Sequence, residues 1–102
     1  MLLPRVHPST LRLRSGRVLV TGGITGGNSI CTSCELVGNG PSERLTCELK
    51  HARYSHSMVD VGEWIYVFGG MSSDIKKPVA AVERIKVTDG SIAADATWEV
   101  VG

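Results

Sequence analysis

Four residues of this chain have a metal-ligand spacing. Cys31, Cys34, Cys47 and His51 read C-x2-C-x12-C-x3-H, near that of small zinc fingers. Three thiolates and one imidazole suit a tetrahedral zinc site. A finger also needs a helix carrying its second ligand pair, and Gly38-Asn39-Gly40-Pro41 interrupts the interval. Cysteines are also common as small buried residues on strands. The zinc-stapled small domain is therefore the second alternative, and no metal ligand is assigned. Cys31-Thr32-Ser33-Cys34 has redox spacing, but such pairs sit at a helix N-terminus, and no helical pattern supports one.

Thr21-Gly22-Gly23-Ile24-Thr25-Gly26-Gly27 follows an apolar run and mimics a dinucleotide-binding turn. That chemistry requires a helix next, whose amides hold the pyrophosphate. The residues from Ser29 to Cys34 do not read as one. His7, His51 and His56 have side chains suited to acid–base work. Adjacency of Ser55 and Ser57 to His56 gives no nucleophile geometry, and His56 reads as a structural hydrogen-bonding residue. Glu35 and Glu83 occupy matching places in a repeated pattern, which points to a shared scaffold role. Arg12, Arg14 and Arg17 read as a solvated strand face and turn. No catalytic or cofactor-binding residue emerges, and no cofactor is implied.

The elements that would position these residues come in two copies. Arg5 to Leu13 leads into Arg17-Val18-Leu19-Val20-Thr21-Gly22-Gly23. Arg53 to Val61 leads into Trp64-Ile65-Tyr66-Val67-Phe68-Gly69-Gly70. The glycine pairs are 47 residues apart, and the Arg and Ser positions 48. Such a period marks a repeat whose units bury their apolar faces on one another. Each copy reads as four short strands. In the second, Ser57, Val59 and Val61 alternate with Met58 and Asp60, as in a half-buried strand. Gly62-Glu63 turns the chain. Trp64 to Phe68 has the composition of a strand buried on both faces. Strands follow in 79–87 and toward the end of 92–101. In the first copy, Leu11 and Leu13 alternate with Arg12 and Arg14, and Ser15-Gly16 makes the turn. Val18-Leu19-Val20 is the buried strand. Cys34 to Val37 answers Val82 to Ile85, and Leu45 to Leu49 reads as the fourth strand.

These residues resemble the kelch-repeat family. The match rests on Arg53, His56-Ser57, Ile65 to Gly70, Glu83 and Trp98, and in the first copy on Arg5, Ser9, Val18 to Gly23 and Glu35. His7 is one place out of register with His56. No tryptophan answers Trp98, and Cys47 or a neighbour takes that place. The resemblance implies an all-β fold of two four-stranded antiparallel propeller blades, residues 4–49 and 53–101. It also implies that the glycines crowd near an axis, that the tryptophan packs between sheets, and that the Arg and His-Ser elements tie neighbouring blades. Propellers close with four to eight blades. Two blades are expected to need further blades or self-association.

Composition limits function. The chain has 102 residues, 42% of them hydrophobic, and a net charge of +1. This suits a small globular domain and offers no basic stripe for nucleic acid. The longest apolar run is far too short to span a bilayer. Pro4 and Arg5 cut off any signal-like apolar start, and three cysteines cannot all pair, so an intracellular, cytoplasmic setting is expected. The resulting expectation is a protein-binding module that uses its inter-strand loops, Ile24 to Thr32 and Met71 to Pro78. Arg53, Tyr54, Lys76 and Lys77 are the candidate contacts, although Arg53 also suits a bridge between blades. The first alternative is the propeller of an enzyme. A copper oxidase would need ligands such as Tyr54, Tyr66, His56 and Cys31 to converge.

Overall fold

The computed structural model describes residues 5–25, 29–38, 41–45, 47–72, 78–88, 92 and 96–102. All regular structure among these residues is β. The strands are β1 (Ser9–Arg12), β2 (Val18–Thr21), β3 (Ile24–Thr25), β4 (Ser29–Ile30), β5 (Cys34–Val37), β6 (Glu43–Arg44), β7 (Ser57–Val61), β8 (Trp64–Phe68), β9 (Glu83–Lys86) and β10 (Glu99–Val100). They form two four-stranded antiparallel sheets, β1-β2-β5-β6 and β7-β8-β9-β10, with β3-β4 as a small separate hairpin. Each large sheet is a meander, because its strands neighbour one another in chain order and antiparallel, with no crossover. The β3-β4 hairpin is inserted between the second and third strands of the first sheet, inside the loop that the sequence marks as variable.

The sequence repeat becomes a register repeat. Ser9 pairs with Thr21, as Ser57 pairs with Phe68. Val20 pairs with Glu35, as Val67 pairs with Glu83. Leu36 pairs with Glu43, as Arg84 pairs with Glu99. Every strand of one sheet thus has a counterpart in the other.

Three sequence-based placements need correction. The fourth strand of the first sheet is Glu43–Arg44, not Leu45 to Leu49. Glu43 and Arg44 complete the ladder to β5; Leu45 still donates to the Cys34 carbonyl, but neither it nor Cys47, Glu48 or Leu49 belongs to a strand. By the same register, Ser42 stands where Trp98 stands in the second sheet, not Cys47. Third, β8 is buried on one face only. Ile65 and Val67 are enclosed, whereas Phe68 is 41% exposed. The two sheets supply just one apolar layer for β8, and among the described residues its other side is covered only in part, by Arg84 over Trp64.

The core sits between the sheets. Leu13, Leu19, Cys34, Leu36, Cys47 and Leu49 share one cluster with Ile65, Val67, Ile85, Ile92 and Trp98. Strand alternation explains this. Leu11, Leu19 and Leu36 lie in one cross-strand row, so they share a face of the first sheet. Ile65, Ile85 and Val67 share a face of the second. Met58 is the inward residue of β7, and Val59 and Val61 point the other way.

Candidate functional site

Two buried ion pairs repeat with the sheets. Arg5 Nη2 lies 2.7 Å from Glu35 Oε2, and Arg53 Nη2 lies 2.8 Å from Glu83 Oε2. All four side chains are fully enclosed. Arg5 Nη1 also donates to the Gly22 carbonyl at 2.8 Å, and Arg53 Nη1 to the Gly69 carbonyl at 3.3 Å. Each arginine therefore ties the segment entering its sheet to the glycine just after the second strand and to a glutamate near the start of the third. Glu83 in addition accepts from the backbone N–H groups of Lys50 and His51. Enclosed charges stay ionised only when paired and hydrogen-bonded, as these are.

His56 joins the two sheets. Its Nε2 lies 2.8 Å from Thr21 Oγ1, and Thr21 Oγ1 donates to Met58 Sδ at 3.5 Å. Which of Thr21 and His56 donates to the other depends on the imidazole tautomer. Nδ1 is buried without a partner. Burial, with the Arg53 charge as a second cause, lowers the His56 pKa to about 4.

Glycine makes this junction possible. A Cβ on Gly22 would stand 2.5 Å from the Arg53 carbonyl and 2.7 Å from His56 Cε1. One on Gly70 would stand 2.6 Å from the Tyr54 carbonyl. Both glycines have positive φ. Nearby, Gly23 N–H donates to the Arg53 carbonyl and Ser55 N–H to the His7 carbonyl, both at 2.9 Å. His7 and Ser55 occur 48 residues apart and have φ of 55° and 53°. The repeat thus persists even where His7 and His56 fall out of step.

The candidate contacts separate. Arg53 is 0% exposed, and its side chain pairs with Glu83 of its own sheet and not with the other sheet. Tyr54 is half-buried and pairs through its backbone with Met71. Lys76 and Lys77 lie outside the described residues. A groove of about 540 Å³ is lined by residues that include Lys50, His51, Ser72 and Pro78. The zinc-type quartet is also divided. Cys31 accepts from Arg5 Nη1 at 3.3 Å, Cys34 and Cys47 lie in the core, and His51 is exposed. Among the described residues, no three His, Cys, Asp or Glu side chains gather as a metal site.

A surface missed by sequence reasoning is the outer face of the second sheet. Val61 opposes Trp64, Val59 opposes Tyr66, and Ser57 opposes Phe68. Val61 is 56% exposed and Val59 41%. Arg84 stacks on the Trp64 ring at 3.9 Å and donates to Tyr66 Oη at 3.4 Å. The result is an apolar, aromatic strip edged by Arg84, Lys86 and Glu99. Its period-two signal was present in the sequence, but nothing there said which face would be covered.

The chain matches no protein-family model and no curated protein sequence. Among the described residues, no helix is long and apolar enough to cross a membrane.

Proposed function

We propose that the chain is part of a kelch-type β-propeller, with blades at 4–49 and 53–101, and that it serves as a protein-interaction module. The observation that carries this reading is the unequal fate of two equivalent faces. In the first sheet, Leu11, Leu13 and Leu19 are packed into the core between the sheets. Their counterparts in the second sheet, Val59, Val61 and Tyr66, lie on the outer strip. The pattern has a direction, since each sheet offers one face to the sheet before it and the other to the sheet after it. The outer strip therefore takes a further sheet of the same kind, supplied by more of the same polypeptide or by a second copy docking head to tail. A protein partner then meets the loop ends, including the groove by Lys50 and His51.

A contiguous apolar strip of this sort marks an interaction surface, and aromatic side chains dominate such contacts. Head-to-tail contacts are heterologous, so the copies extend or close into a ring. The test is light scattering of the purified chain over a range of concentrations. Association beyond the 10.9 kDa chain mass, reduced by Phe68→Lys and Val61→Lys, supports the reading. A wild-type chain that stays monomeric at high concentration overturns it.

A further inference from the structure

The junction between the two sheets has an unfilled counterpart. At the junction, Gly22 lies against the Arg53 carbonyl and the His56 ring. Gly23 N–H donates to the Arg53 carbonyl, and Ser55 N–H donates to the His7 carbonyl. By the register repeat, Thr21, Gly22 and Gly23 correspond to Phe68, Gly69 and Gly70, and Arg5, His7 and Pro8 to Arg53, Ser55 and His56. The entrance segments match in space as well. A Cβ on Gly23 would stand 3.1 Å from Pro8 Cα, and one on Gly70 would stand 3.0 Å from His56 Cα. Gly22 and Gly69 share a left-handed backbone, with φ of 62° and 73°. Yet a Cβ on Gly69 would have no described residue within 4 Å, where one on Gly22 would collide. Phe68, beside Gly69, is exposed.

We infer that Phe68-Gly69-Gly70 is the docking site for the Arg5–Pro8 segment of a second copy of this chain, an inference that rests on the reading of the outer strip given above. Polarity selects this occupant. Inside the chain the contact is polar on both sides, Thr21 with His56 at 2.8 Å. At the open end Phe68 stands in place of the threonine, and the second copy brings Pro8 in place of the histidine. Both members change together from polar to apolar, so the docked pair is matched again. A histidine docked on Phe68 would instead bury a ring nitrogen with no partner. Val6, in the same entrance segment, is a further exposed apolar residue. In the docked arrangement Gly70 N–H donates to the Arg5 carbonyl of the second copy. The second copy's His7 N–H donates to the Ser55 carbonyl, and its Pro8 packs on Phe68. The open space at Gly69 receives the incoming backbone, which only a residue without a Cβ permits.

The test mixes two purified variants, each blocked at one end and each first compared with the wild type by circular dichroism. Phe68→Lys blocks the glycine end, and Pro8→Lys blocks the entrance segment. In sedimentation velocity each alone should stay monomeric. Their equimolar mixture should form a dimer, because one intact end of each chain meets the other. Gly69→Ala mixed with Pro8→Lys should do the same, so the result does not hang on the folding of one variant. Gly69→Ala alone should lose association, whereas Gly62→Ala, also left-handed and open but in the turn between β7 and β8, should keep it. If the wild type associates and Pro8→Lys and Gly69→Ala associate as tightly, this docking site is overturned while the outer strip remains an interface. If each blocked variant is monomeric and the mixture is monomeric too, the head-to-tail pairing is overturned. A wild type that never associates overturns the underlying reading along with the site.

Discussion

Thr21 Oγ1 meets His56 Nε2 at 2.8 Å across the boundary between the two sheets. The other ring nitrogen, Nδ1, is buried without a partner. The protonated ring carries hydrogen on both nitrogens, so its Nδ1–H would be buried with no acceptor and near Arg53.

Acid should therefore loosen the junction. The folded His56 pKa is about 4, below its ordinary value of 6.5. A depressed histidine binds its proton more readily in the unfolded chain, so its contribution is whole above pH 6.5 and declines as pH falls toward 4. Over that window the loss reaches about 3 kcal/mol. Urea unfolding at a series of pH values measures it, and His56→Gln should flatten the slope.

Removing one member of a buried ion pair strands the other. Glu83→Ala should destabilise the chain by about 3–5 kcal/mol. The loss includes the backbone groups of Lys50 and His51 that Glu83 satisfies. Glu83→Gln, which can still accept hydrogen bonds, should retain part of that stability. Chemical denaturation of the three proteins compares them; equal midpoints would contradict the role assigned to the pair.

Two glycines separate backbone strain from steric conflict. Gly22→Ala would drive a Cβ against the Arg53 carbonyl, whereas a Cβ on Gly62 meets nothing within 4 Å. Both positions have φ of +62°. Gly62→Ala should cost about 1–2 kcal/mol from the left-handed backbone alone. Gly22→Ala should cost clearly more, with the sheets pushed apart. Melting temperatures of the paired variants give the difference.

Trp98 fills the core ahead of β10 at 1% exposure. Trp98→Ala should cost about 3–5 kcal/mol, the usual range for truncating a buried aromatic side chain. Trp98→Phe should lose less. Thermal unfolding by circular dichroism is the measurement.

Much of the architecture was legible in the residues. Alternating apolar positions, turn glycines and a spacing of 47 to 48 residues gave strands, turns and a twofold repeat. Glu35 and Glu83 were recognisable as scaffold because they held equal places in both copies. Short elements were less legible. Glu43 and Arg44 have no strand-like apolar pattern, and only their ladder to β5 makes them a strand. The loss of step between His7 and His56 was visible, but the matching backbone twist at His7 and Ser55 was not.

Local residue order determined the alternation of each strand and hence which side chains share a face, because a β-strand turns successive residues to opposite sides. Tertiary packing decided which of those faces is covered. It enclosed Arg53 against Glu83, brought His56 to Thr21 and left Val61 and Phe68 outside. The two pairings join residues 30 or more apart in sequence. Pattern along the chain is a property of neighbours, whereas burial and pairing arise only when distant segments meet.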